Sequence, residues 1–271
     1  MEHQGRMKVL TVRMADGNVI KLEPYDTLPS TTELAREYAK AGYPDRYVIF
    51  AQNHSTASIT GTMLKPGETE HGIFLSCILR PSFFPSQAGF LGVLSGTALL
   101  EALREHTDRR VGIGWISDIF CEGVRIGGTS IEGKLDSFGS YEYLIVNFAI
   151  KMDEENFPPR LSDMVRKVFE SENSSIPLII AKTVLGKFFL LYPHLSTPQK
   201  FMELYRRGFV LRGTRIRLLD GSRRSFCKVL GVDESTGALT VETRDGMLKH
   251  IKSRSSVAIP TRIRLKKTAK D

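Results

Sequence analysis

Between Gly112 and Gly133 the stretch GIGWISDIFCEGVRIGGTSIEG sets a carboxylate and a cation around a run of glycines. Asp118 stands in a polar connection with Ser117 and Glu122, and Arg125 comes just ahead of Gly127-Gly128. These residue types suit a ligand site. Glycines without Cβ let a backbone approach a bound molecule, while one guanidinium and one carboxylate face it from adjacent strands. No serine–histidine–acid order, HExxH helix or Walker loop offers a rival chemistry. Cys121 lies in the same connection, but Asp118 and Glu122 beside it would raise a thiol pKa, which disfavours it as a nucleophile.

The elements that must position these groups follow from pattern. Val111–Trp115 alternates apolar residues with glycine and reads as a strand, Ile116–Gly123 as a connection, and Val124–Glu132 as a second strand. Upstream, Met7–Arg13 and Asn18–Leu22 are strand-like runs joined through Ala15-Asp16-Gly17, a hairpin signal. A Ser/Thr N-cap at Ser30-Thr31 precedes Leu34, Ala35 and Tyr38 at helical spacing. Strands are predicted at Tyr47–Phe50 and Gly72–Leu79, the latter with Cys77 packed inside. Ala88–Leu103 reads as a helix whose Gly89, Gly92 and Gly96 imply close packing on the sheet. Tyr141–Lys151 is an alternating strand containing Asn147, which on its own is a local hydrogen-bonding device. After a linker at Glu154–Pro159, helices are expected at Leu161–Phe169, Leu178–Tyr192 and Thr197–Gly208.

From Gly213 the pattern changes to short strands, Thr214–Leu219, Ser225–Val232, Ala238–Thr243 and Leu248–Ile251, separated by turn residues. Such spacing describes a small antiparallel barrel. Ile263–Asp271 is a basic tail.

Composition sets the outer bounds. The 271 residues, with 41% hydrophobic and 25% charged, suffice for one sizeable core and a small extra domain. Three separated cysteines without a CxxC argue against a disulfide framework or zinc site and fit a reducing compartment. The N-terminus lacks a basic segment followed by an apolar run, and the most apolar later stretch, Ile176–Tyr192, is interrupted by Lys182, Thr183 and Lys187; a cytoplasmic protein that meets no membrane is expected. Of the net charge of +8, the segment from Arg206 onward holds 17 Lys+Arg against 6 Asp+Glu, so the excess is entirely C-terminal. A charge-rich face is most often simply solvated.

The central stretch resembles the biotin protein ligases, within the wider biotin/lipoate ligase and octanoyltransferase superfamily. That family reads roughly Lys-Trp-Pro-Asn-Asp-Leu, a spacer, then Lys-Leu-Ala-Gly-Ile-Leu-x-Glu. Here Gly114-Trp115-Ile116-Ser117-Asp118-Ile119 is followed in register by Arg125-Ile126-Gly127-Gly128-Thr129-Ser130-Ile131-Glu132. Ser30-Thr31-Thr32 stands where the family has Ser-Thr-Asn, and Asn147 matches the asparagine of Gly-Ile-Asn-Met. The family loop Gln-x-x-Gly-Arg-Gly-Arg-x-Gly-Arg corresponds to Gln52–Thr62, where Gly61 coincides with a glycine and no arginine is present.

The resemblance implies an α+β fold, a mixed sheet with packed helices followed by an SH3-like barrel. The implied divisions are an N-terminal hairpin (1–27), a catalytic domain (28–207), the barrel (208–260) and a tail (261–271). No room is left ahead of the catalytic domain for a winged helix-turn-helix, so the shorter type without DNA regulation is expected. By resemblance the protein would use ATP and Mg2+ to attach biotin to a lysine of a biotin carboxyl carrier domain. Arg125 and Asp118 would be catalytic; Ser30, Thr31, Asn53, Trp115, Gly127 and Gly128 would bind substrate; Asn147, Glu132 and Lys65 would bind nucleotide; no resident metal is implied. Adenylation gathers negative charge that needs fixed donors, and losing one such donor costs about 10²–10³ in rate. Without the loop arginines the activity is expected to be impaired, with Lys65 and His54 the nearby groups that could partly substitute.

Two other readings stay open, an ATP-independent octanoyl or lipoyl transferase of the same superfamily and a non-catalytic ligand-binding relative. Nucleic acid is not expected, because only Phe209 and Phe226 follow Tyr205 as aromatics for stacking. Dimerisation through the sheet is left open.

Overall fold

The structure, a computed structural model, describes residues 7–14, 17, 19–56, 63–65, 67–152, 175–220 and 223–265. The linker at Glu154–Pro159, the helix expected at Leu161–Phe169, Gly61 and much of its loop, and part of the Ala15-Asp16-Gly17 turn and of the basic tail lie outside these residues.

A mixed eight-stranded sheet dominates, ordered β1-β2-β3-β4-β8-β7-β6-β5. Its strands are β1 (Leu10–Arg13), β2 (Val19–Leu28), β3 (Tyr47–His54), β4 (Glu70–Leu79), β5 (Val111–Ile113), β6 (Ile119–Cys121), β7 (Val124–Leu135) and β8 (Tyr141–Lys151). The parallel pair is β2–β3, bridged by helix α1 (Thr31–Lys40), and the other neighbours are antiparallel. Parallel strands need such a crossover. The Ser30 hydroxyl caps α1 by accepting from the Glu33 amide, a contact worth about 1 kcal/mol.

The alternation of β8 shows why the sheet has two cores. Val146 and Phe148 face one side with Leu75, Cys77 and helices α2 (Leu91–Arg104), α3 (Ile176–Leu191) and α4 (Gln199–Gly208). Ile145 and Tyr143 face the other, against Leu34, Ala35 and Ala39 of α1. Each face is thus dry beneath its helices, while the residues between the apolar ones decide what α1 can cover.

Most strand and helix predictions hold, β8 without a shift. The predicted connection Ile116–Gly123 contains a strand, β6, paired with both β5 and β7. Its three residues are all buried and too few to show a period. The helix predicted from Ala88 starts as a 3-10 turn, Pro85–Phe90, and is α-helical only from Leu91. The expected close packing is present: a Cβ on Gly96 would fall 2.7 Å from Ser117 Cβ, and one on Gly92 3.0 Å from Ile116 Cγ2. Gly89 has nothing within 4 Å, so it takes no part. The stretch Ile176–His194 is long and apolar enough to cross a membrane by length and composition, and half of it is buried within the fold.

The C-terminal region forms a five-stranded antiparallel sheet, β12-β11-β10-β9-β13. It comprises β9 (Arg215–Asp220), β10 (Arg223–Val232), β11 (Leu239–Thr243), β12 (Leu248–Ile251) and a short β13 (Val257–Ala258) that the sequence pattern did not signal. Its core, Leu211, Ile216, Val229, Leu239 and Val241, is continuous with Trp115 in the β5–β6 turn and with Phe120 of β6.

Candidate functional site

Strand β7 carries the site. Gly127 and Gly128 make their close approaches to the chain itself: a Cβ would lie 2.0 Å from Ala149 O at Gly127 and 2.6 Å from Ser117 O at Gly128. The glycines therefore let the Ser117–Asp118 turn settle onto β7. Ser117 Oγ donates to Thr129 O at 3.1 Å, and the Asp118 carbonyl accepts from the Gly114 amide at 2.7 Å. Tyr205, fully buried on α4, places its hydroxyl 3.2 Å from Gly114 O and 2.9 Å from Ile116 O, closing the turn from below. Burial, with the Asp118 charge adding to it, holds that phenol well above its ordinary pKa, so it acts as a neutral donor.

One end of the site is charged. Asp118, 7% exposed, receives Arg254 Nη2 at 2.9 Å on one oxygen and lies 3.0 Å from Arg125 Nε on the other. The Arg125 N–H is not aimed along that line and has no hydrogen-bond acceptor; the buried Thr129 hydroxyl, also on β7, has none either. Arg125 and Arg254 remain 28% and 37% exposed at the side chain, so both guanidinia keep donors for an anion. Sequence reasoning did not find Arg254, which lies 136 residues from Asp118 in a run of basic residues that look like a solvated face.

The other end is neutral. Register places Asn147 opposite both Ser76 of β4 and Ser130 of β7. Asn147 Oδ1 accepts from Ser76 Oγ at 2.7 Å and from Thr32 Oγ1 at 3.0 Å, and its amide reaches Ser130 Oγ at 3.3 Å. Thr31 Oγ1 lies 3.0 Å from Ser76 Oγ, and the Thr31 amide donates to His54 Nε2 at 3.1 Å. His54 stacks on Phe74, and burial lowers its pKa to about 4, so near neutrality it supplies an acceptor and no positive charge. Two residues along β7 from Ser130, Gly128 touches the Asp118 turn; at about 3.3 Å per residue the two ends lie roughly 7 Å apart along the strand.

The remaining sequence candidates fall around this strip. Glu132, the next residue of β7 on the α1 face, forms a bidentate pair with Arg36 at 2.8 and 3.1 Å. Asn53 donates to Asp26 O and meets His71 Nδ1, both at 3.1 Å. Ser30 is occupied as the helix cap. Trp115 is 1% exposed, and its indole N–H bonds Gly237 O at 2.9 Å, so it ties the turn to the C-terminal sheet. Lys65 is 85% exposed at the side chain, 4.0 Å from Glu68. Burial pushes the Cys121 thiol up to about 11 despite the lowering effect of Arg109. Among the described residues no cluster of three His, Cys, Asp or Glu could hold a metal ion.

No protein-family model matches the sequence. The bifunctional ligase/repressor BirA of Bacillus subtilis (strain 168) is 25% identical over 235 residues, 83% of this chain and 70% of the relative. The crystal structure of biotin protein ligase from Aquifex aeolicus superposes with a TM-score of 0.61 at 18% identity, covering 88% of this chain and 96% of that one. The same ligase in complex with biotin and ATP gives 0.58 at 17% identity, covering 88% and 97%. Sequence and fold thus agree, and the chain is a distant homologue of BirA with the fold of the biotin protein ligases.

Proposed function

We propose that the protein is a biotin-ligase-like enzyme that joins the biotin carboxylate to the α-phosphate of ATP with release of pyrophosphate, then passes the biotinyl group to a lysine amine of a carrier domain with release of AMP. The observation that carries this reading is the charged end of the strip, where Asp118 holds Arg125 and Arg254 side by side, both partly exposed, and Arg125 Nε has no hydrogen-bond acceptor. A buried donor without an acceptor calls for an explanation, and an anion held between the two arginines supplies one. Arg125 and Arg254 would hold the developing phosphate charge, with Asp118 fixing both guanidinia. The Asn147 cluster would receive the neutral, hydrogen-bonding end of biotin, and α1 would direct its positive N-terminal dipole toward the same place.

Biotin and ATP suit the groups present. A magnesium ion has no protein cage among the described residues and would arrive on the nucleotide phosphates, as this cation commonly does. The arginine-poor loop and a neutral His54 leave Arg254, bonded to Asp118, as the compensating cation, while Lys65 is largely exposed and 4.0 Å from Glu68. A high thiol pKa at Cys121 weighs against the acyltransferase reading. A cytoplasmic location and action on a biotin carboxyl carrier domain belong to the same proposal.

Calorimetric titration with biotin, with and without Mg-ATP, tests it, using Arg125→Ala as the control. Binding that strengthens with Mg-ATP and loses that gain in Arg125→Ala supports adenylation. No heat from biotin under either condition removes the ligase reading and directs the search to lipoyl and octanoyl carriers.

A further inference from the structure

The outer face of the C-terminal sheet is built differently from the β7 strip. On β9, Ile216 and Leu218 enter the core while Arg215 and Arg217 are exposed; on β10, Cys227 and Val229 are buried while Phe226 and Lys228 are exposed. Register sets Arg217 opposite Phe226 and Arg215 opposite Lys228. The Arg217 guanidinium lies 5.7 Å from the centroid of the Phe226 ring, which is 50% exposed. A groove of about 590 Å³ passes Arg215, Phe226, Lys228 and Arg244, and a second of about 300 Å³ shares Arg215 and Phe226 and reaches Arg217. Among the residues lining the two, Glu242 is the one carboxylate.

We propose that this face binds single-stranded nucleic acid, with phosphates along Arg215, Lys228 and Arg244 and a base stacked at Phe226. Cations alone would not distinguish this face from an ordinary solvated one. The aromatic ring does. Single-strand binding surfaces combine a cationic track for the backbone with aromatic side chains on which bases stack, and arginine adds a cation–π contribution. Of the two aromatics that sequence reasoning counted as too few, Phe209 packs partly buried against the core, whereas Phe226 stands at the junction of both grooves. A duplex keeps its bases stacked inside and cannot use Phe226. The proposal is independent of the ligase reading, because none of its residues belongs to the strip.

The test is fluorescence anisotropy of the full chain with a labelled 20-nucleotide oligothymidine and with its duplex. Single-strand binding is expected to exceed duplex binding. Its logarithm should fall with the logarithm of salt at a slope of about −2, for roughly three phosphates at −0.7 each. Phe226→Ala should weaken binding about tenfold, the loss of one stacked base. Lys228→Glu should weaken it at least as much. Both side chains are exposed, and an unchanged melting temperature shows that the variants fold. No binding at about 50 mM salt overturns the proposal, as does equal binding of the duplex or full affinity in either variant. Equal displacement by polyglutamate also overturns it, marking instead a face that reads charge alone and suits an acidic protein.

Discussion

The two ends of the β7 strip solve different problems with different chemistry. At one end Asp118 gathers arginines from β7 and from the far end of the chain, and charge is balanced by charge. At the other, Asn147, Ser76, Thr31, Thr32 and Ser130 satisfy one another as neutral donors and acceptors, and the single titratable group, His54, is kept uncharged. On the proposed function the difference separates two tasks: the first end would respond to a phosphate and to salt, while the second would read the shape and hydrogen-bonding pattern of a neutral group and be indifferent to salt.

Removing the carboxylate is the strongest way to break this contrast. Asp118→Ala should leave two guanidinia unpaired and cut a link to the C-terminal sheet, lowering stability by about 2–4 kcal/mol in urea unfolding and abolishing any response to ATP. A loss below about 0.5 kcal/mol would show that the charged end is merely a surface pair.

Acid should then attack the neutral end. In the folded protein His54 has a pKa of about 4, below its ordinary 6.5, so folded and unfolded states are alike above pH 6.5 and the unfolded state binds the extra proton below it. Stability should therefore be complete at pH 7.5 and decline as pH falls from 6.5 toward 4, by roughly 2–3 kcal/mol. His54→Gln should flatten that part of the urea-midpoint profile. An unchanged slope in the variant would assign the acid sensitivity to other groups.

Asn147→Ala sharpens the contrast further. With its amide gone, Ser76 and Thr32 lose their shared acceptor, at about 1–2 kcal/mol, and biotin affinity should fall about tenfold without any change in its salt dependence. A changed salt slope would mean that the two ends are not separable. The smallest effect is expected at Lys65→Ala, where an exposed side chain at 4.0 Å from its partner should alter neither stability nor biotin affinity more than about twofold.

How much of this was legible in the sequence depends on how far apart the cooperating residues lie. That Asp118 and Arg125 share one site was visible because both residues belong to one short motif, though their direct pairing was not, and β8 was visible because eleven residues of alternation leave little ambiguity. The neutral cluster was seen in fragments: Thr31 as a helix start and Asn147 as a local device, with Ser76 hidden inside an apolar run. Only the register between β4, β7 and β8 brings them together. Gly127 and Gly128 were assigned to ligand approach, yet the atoms nearest their missing Cβ positions are carbonyls of the chain itself, which residue type alone cannot distinguish. Strand β6 and Arg254 left no pattern at all, the first being too short and the second too remote.

The Arg254–Asp118 bond also bears on the order of events during synthesis. The two partners are 136 residues apart, so at about 5–20 residues per second the carboxylate is made roughly 7–27 seconds before its second arginine. Through that interval the large sheet can pair while its charged turn holds one guanidinium instead of two. A nascent chain therefore cannot complete the Asp118 pairings before residue 254 has left the ribosome, and on the proposed function a ligand that needs both arginines would ignore incomplete copies.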